Sequence, residues 1–131
     1  MENEFDFNGE WSNEYDDTAP KIIPAYNSIY VLTQHLLRDR LHKEAKILVA
    51  GAGTGKEIID CSLDNPHWCF AGFDPAEAML SFAIKKVAAA SLEDKISLIH
   101  GLIDNVIEKD FDAATSILVM HFLPDDGTKF N

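Results

Sequence analysis

The run Ile47-Leu-Val-Ala-Gly-Ala-Gly-Thr-Gly-Lys-Glu57 constrains this chain more than any other segment. A short apolar stretch from Lys46 to Ala50 reads as a buried strand, and Lys56 to Leu63 shows Ile58, Ile59 and Leu63 at helical spacing. The three glycines between them lack Cβ, so the backbone can turn sharply and approach a ligand closely. A phosphate-binding P-loop would need glycine at position 50 and Ser or Thr at 57, where the chain has Ala50 and Glu57. That reading is excluded. A dinucleotide fingerprint would need a glycine three places after Gly53, and that position holds Lys56. The loop reads GxGxG, which leaves a dinucleotide site weak but open, beside a tight turn that holds no ligand.

Strands and helices alternate along the rest of the chain. Trp68 to Phe73 is a second strand, and Asp74-Pro75 opens a helix to about Ala90, with Met79, Leu80, Phe82, Ala83 and Val87 on its core side. Lys95 to His100 is a third strand and Phe111 to Val119 a fourth, with Met120 to Leu123 turning off its end. From Pro20 to Leu41 the apolar positions predict one amphipathic helix, with Pro24 in its first turn. The alternation predicts an α/β fold, a doubly wound and mostly parallel sheet. Asp74 ends the second strand about 20 residues beyond the glycine turn, where a carboxylate can accept hydrogen bonds from adjacent ribose hydroxyls. A cap for the helix after Pro75 is a second role for it, compatible with the first.

The order of these pieces resembles the class I S-adenosylmethionine-dependent methyltransferases, whose cofactor loop has the GxGxG form. "VAGAGTG" resembles the family's first motif and "GFDPAEAML" its ribose motif. "ISLIHGLIDNV" resembles its third strand and loop, and "FDAATSILVMHFLPD" its fourth strand. The resemblance covers residues 20 to 125. It implies a Rossmann-like sheet in strand order 3-2-1-4 and S-adenosylmethionine as cofactor. By the same resemblance Gly51, Ala52, Gly53 and Gly55 form the loop along the methionine part, and Asp74 holds the ribose. Pro75 and Met79 flank the adenine, Leu102 and Ile103 sit at its polar edge, and Ile117 lies near the methionine moiety. One subgroup, the carboxy-S-adenosylmethionine synthases of a tRNA wobble pathway, has a similar N-terminal helix with a cofactor-contacting tyrosine. Here that residue is Tyr26, which a core role at helical spacing also explains. The chain departs from the family at Val49, where an acid normally precedes the loop, and at Leu102, where an acid normally meets the adenine; Asp104 stands two residues on. Ile117 replaces the asparagine of the synthase subgroup. A generic methyltransferase is therefore the expected activity, with a small-molecule or tRNA-pathway acceptor left open; a truncated or degenerate non-catalytic cofactor-binding or oligomerising domain is one alternative, and a carboxy-S-adenosylmethionine synthase-like enzyme a further one.

The family's sheet has seven strands and this chain supplies four, so the expected domain (residues 19–131) is incomplete. The fourth strand would be an open edge inviting pairing with a second copy, most simply as a two-fold dimer. His121, beyond that strand, is the weak candidate for a general base; the other histidines share no ligand spacing, and no metal site is inferred. Residues 1–18 carry seven acids and no Lys or Arg, yet also Phe5, Phe7, Trp11 and Tyr15, which predicts an arm that either packs on its own core or covers a ligand. With a net charge of −11, direct binding to nucleic acid or anionic lipid is disfavoured. No apolar run is long enough to cross a bilayer, and the N-terminus carries no export signal, so a cytoplasmic protein is expected. Cys61 and Cys69 have no redox or zinc spacing and are expected to be reduced and buried.

Overall fold

The structure, a computed structural model, describes residues 11–117 and 119 of the chain. Its element order is α1 (Trp11–Ile22), α2 (Tyr26–Arg40), β1 (Ala45–Ala50), α3 (Lys56–Asp64), β2 (Trp68–Asp74), α4 (Glu77–Ala89), β3 (Ile96–His100), a 3-10 turn (Ile103–Asn105) and β4 (Ala113–Ser116). The four strands form one sheet in the order β3-β2-β1-β4, and every neighbouring pair is parallel. The sheet is thus the α/β arrangement expected from the sequence. All four C-terminal strand ends lie along one edge, where ligands of open parallel sheets bind.

Alternation along the strands sends one set of side chains into the core. Ala45, Ile47 and Val49 of β1, Trp68 and Phe70 of β2 and Ile96 of β3 pack against Ile58 and Cys61 of α3 and Leu80, Ala83 and Val87 of α4. Leu37 and Leu41 close this core from the α2 side. Cys61 is buried there, but Cys69 is exposed. It sits one place along β2 from Trp68 and so points to the opposite sheet face, which corrects the expectation that both thiols are buried.

The N-terminal region departs from the single predicted helix. Proline disfavours helical backbone in the residue before it, so Pro24 ends α1 at Ile22, and Ala25 takes a left-handed φ of 56° before α2 begins. Helical structure also starts earlier than Pro20, because Tyr15, Asp16 and Ala19 turn one face of α1 inward; Ala19 is buried. The acidic composition of residues 1–18 masked this amphipathic turn. Residues 1–10, with Phe5 and Phe7, lie outside the described residues. The fourth strand is shorter than Phe111 to Val119, because its ladder with β1 runs only from Ile47↔Ala113 to Ala50↔Ser116.

Candidate functional site: the glycine loop and the tips of β1, β2 and β4

The loop after β1 is fastened to β2. The N–H groups of Gly51 and Ala52 both donate to the Phe73 carbonyl, at 2.9 and 3.0 Å. Gly51 and Gly53 have φ of 70° and 56°, a region where a Cβ is strained. A side chain at Gly51 would also collide with Val119. Gly55, with φ of 80°, serves packing as well: a Cβ there would come within 2.9 Å of Ala83 Cβ, so the glycine lets α3 and α4 approach.

Asp74 occupies the tip of β2 and is 9% exposed. One carboxylate oxygen, Oδ2, accepts the Gly53 N–H at 2.8 Å, and Oδ1 accepts the Ala76 N–H at 2.8 Å. The second bond closes an Asx turn that leads into α4; the N-cap of that helix is Ala76 and takes no side-chain cap, which corrects the capping role expected of Asp74. Its backbone carbonyl accepts the Gly101 N–H at 3.0 Å, which ties the loop after β3 to the same point. A carboxylate offers about four acceptor directions, so each oxygen retains one for a further donor.

Around this centre the other expected residues take distinct places. Met79 is buried, with its Cε 3.5 Å from where a Gly53 Cβ would stand. Pro75 is exposed, and its carbonyl lies 3.1 Å from His100 Nε2. Leu102 and Ile103 are an exposed apolar pair, 53% and 59%, on the loop stitched to Asp74. Asp104 is exposed in the 3-10 turn between them and Asn105. Ile117 is half-buried just beyond β4. His121 lies outside the described residues. Tyr26 is buried at the start of α2, its ring edge-on to Tyr30 at 5.0 Å between centroids and its hydroxyl 3.3 Å from that of Tyr30.

Tyr15, expected in the N-terminal arm, joins the site with three groups that sequence reasoning passed over: Asp16, Tyr30 and Glu57. Tyr15 of α1 shares a hydrogen bond with Tyr26 and is close enough to Asp74 to feel its charge. Burial pushes the phenol of Tyr30 up to about 12 and raises those of Tyr15 and Tyr26 still further, so all three stay neutral donors. Asp16 of α1 accepts a hydrogen bond from Thr54 inside the glycine loop and pairs with Lys86 of α4. That places α1 over the loop. Glu57, in the first turn of α3, is half-buried with Oε1 3.3 Å from the Thr115 hydroxyl of β4. Burial lifts its carboxyl to about 7, a rise that the Thr115 hydrogen bond opposes. The spacing of Tyr26 and Tyr30 was visible in the sequence; the reach of Glu57 to β4 was not, because it depends on the register that sets Thr115 beside Val49.

A parallel sheet with a glycine loop on β1 and a carboxylate on the tip of β2 defines a Rossmann-like nucleotide-binding architecture. The profile of the methyltransferase domain family matches residues 47–130, and the chain belongs to that family. It is similar to a carboxy-S-adenosyl-L-methionine synthase of Nautilia profundicola, 25% identical over 118 residues, covering 90% of this chain and 48% of that protein. The chain therefore spans about half the length of this curated relative. Among solved structures, one described as an S-adenosyl-L-methionine-dependent methyltransferase of Methanococcus maripaludis superposes with a TM-score of 0.77 at 21% identity, over 99% of this chain and 59% of that one. A Thiobacillus denitrificans methyltransferase in complex with S-adenosyl-L-homocysteine gives 0.60 at 21% identity, over 78% and 41%. These likenesses match the fold.

Proposed function

We propose that this chain is the cofactor-binding portion of an S-adenosylmethionine-dependent methyltransferase. One observation carries the reading: the Asp74 carboxylate stands at the tip of β2 while bonded to the Gly53 N–H of the adjoining loop. The residues gathered at this strand tip suit an adenosyl group. Positive-φ glycines leave the loop open to a close approach, the free acceptor directions of Asp74 match a ribose diol, and the exposed Leu102 and Ile103 offer apolar surface for a purine. When bound, S-adenosylmethionine supplies a methyl group on a sulfonium, an electrophile that needs chiefly an aligned nucleophile. The chain's own part is to hold the nucleoside at Asp74, to line its path with the loop and to shut out water with α1.

In this reading the acceptor is a small molecule, and direct contact with nucleic acid is disfavoured by the net charge of −11. Among the described residues no helix is long and apolar enough to cross a membrane, which is in keeping with work in the cytoplasm. Among those residues β4 pairs only with β1, and a second copy pairing along that edge would make a homodimer. The likeness to a carboxy-S-adenosyl-L-methionine synthase over 90% of the chain favours a second reading, in which the cofactor itself is modified.

Thermal unfolding with added ligands tests the cofactor class. Saturation at about a hundred times Kd stabilises by roughly 2.7 kcal/mol, which is a rise in Tm on the order of 5 to 10 °C for a chain of this size. S-adenosylhomocysteine should produce that rise and NAD should not. A rise with NAD alone would overturn the proposal.

A further inference from the structure

Resting on the adenosyl site proposed above, we infer that Glu57 receives the α-ammonium at the amino-acid end of the ligand. The sheet itself sets the direction. Asp74 is on β2, the exposed apolar pair Leu102–Ile103 follows β3, and the glycine loop crosses from β1. A ligand anchored through its ribose at β2, with its base toward β3, extends its remaining end over the loop toward β4.

On that side the strand row reads Thr115–Val49–Gly72 across β4, β1 and β2. Val49 is 1% exposed and apolar, so β1 brings no charge to the row. The charge comes from α3 instead: Glu57 follows the loop by two residues and reaches the Thr115 hydroxyl, the register partner of Val49. Tyr30 of α2 faces the same carboxylate closely enough for its phenol to be perturbed by it. Tyr30, Glu57, Asn27 and Gln34, with the Lys56–Asp60 pair, line a cavity of about 420 Å³ between α2 and α3.

Glu57 also lacks what a structural carboxylate of this burial ordinarily has. Its neighbour Lys56 is engaged with Asp60 at 3.1 Å, and among the described residues no cation pairs with Glu57. A half-buried carboxylate with no cation partner is costly to ionise and tends to hold a proton, in keeping with its rise to about 7. An arriving ammonium supplies the missing partner and draws the carboxylate into its charged form. Thr115, whose hydroxyl can donate to the carboxylate, orients it toward that cation.

Calorimetric titration at pH 7.5 tests this with two ligands and one variant. S-adenosylhomocysteine carries the amino-acid end; 5′-methylthioadenosine keeps the nucleoside and sulfur but lacks it. In Glu57→Gln the affinity for S-adenosylhomocysteine should fall about tenfold to a hundredfold, the worth of a charge-assisted contact. The affinity for 5′-methylthioadenosine should stay within about twofold. The desamino analogue of S-adenosylhomocysteine should show the same loss on the wild-type chain, a readout independent of whether the variant folds. Undiminished affinity of either the variant for S-adenosylhomocysteine or the wild type for the desamino analogue would overturn the inference, as would equal losses for both ligands in the variant. A wild-type chain that binds neither nucleoside would instead remove the cofactor site, and this inference with it.

Discussion

Replacing Asp74 by asparagine asks the carboxylate to give up one of two backbone donors. In the native structure Oδ2 takes the Gly53 N–H and Oδ1 the Ala76 N–H, both at 2.8 Å. An amide of the same shape has one acceptor oxygen and one NH₂ group. Whichever way it turns, one backbone N–H meets another donor. With only 9% exposure, little water can reach the orphaned group. A buried donor left unsatisfied costs about 1 to 3 kcal/mol, and the surviving bond weakens as its acceptor loses charge. With a urea m-value of about 1 to 3 kcal/mol/M, the unfolding midpoint of Asp74→Asn should fall by on the order of 1 M. Equilibrium urea unfolding followed by circular dichroism measures this directly in the absence of ligand. A midpoint equal to wild type would refute the claim that Asp74 fastens the glycine loop and would leave it as a pure ligand contact. The result also governs how binding data are interpreted: if the loop loosens, lost affinity in an Asp74 variant mixes loop disorder with a missing ribose contact.

Other expectations follow from the same structure. A methyl group at Gly72 would stand 2.6 Å from Ile58 Cδ1 and 2.9 Å from Ala52 Cβ; Gly72→Ala should cost about 1 to 3 kcal/mol, and adding Ile58→Val should recover part of it, as a double-mutant cycle in urea would show. Because burial lifts Glu57 from 4.5 to about 7, the folded chain holds this proton more tightly than the unfolded one. Stability should therefore decline as pH rises from about 4.5 to about 7 and level off above that. The shift corresponds to ~3 kcal/mol at most, and partial exposure reduces it to roughly 1 to 2. Glu57→Gln should remove this part of the decline, while Thr115, Tyr30 and Cys61, the groups around it, contribute no ionisation below pH 8; parallel pH profiles for variant and wild type would contradict it. Pairing through the β4 edge should give a dimer by light scattering at high micromolar concentration, and a clean monomer there would dismiss it.

What the sequence revealed and what it withheld divide along physical lines. The strands of the sheet carry local signals, in apolar runs such as Lys46 to Ala50 that end at glycine or Asp-Pro, and their extents agree with the structure to within a residue or two for β1, β2 and β3. Asp74 was legible for the same reason, since its spacing from the loop is a property of one βαβ unit. The N-terminal helix pair was not, because acids that face solvent on one side of α1 conceal the inward Tyr15, Asp16 and Ala19. Glu57 escaped notice for a different reason. Its partner Thr115 is 58 residues away in sequence, and beyond the strand order it takes the register Val49↔Thr115 to bring them together.

The central claim is that the tip of β2 and the glycine loop form an adenosyl site, and a ligand-side measurement tests it without disturbing the loop. S-adenosylhomocysteine and its 2′,3′-dideoxy analogue would be titrated calorimetrically into the folded wild-type chain. Saturable one-to-one binding of S-adenosylhomocysteine, weakened at least about tenfold when both ribose hydroxyls are removed, is the expected result. No heat of binding from a folded chain, or equal affinity for the two ligands, would contradict the account.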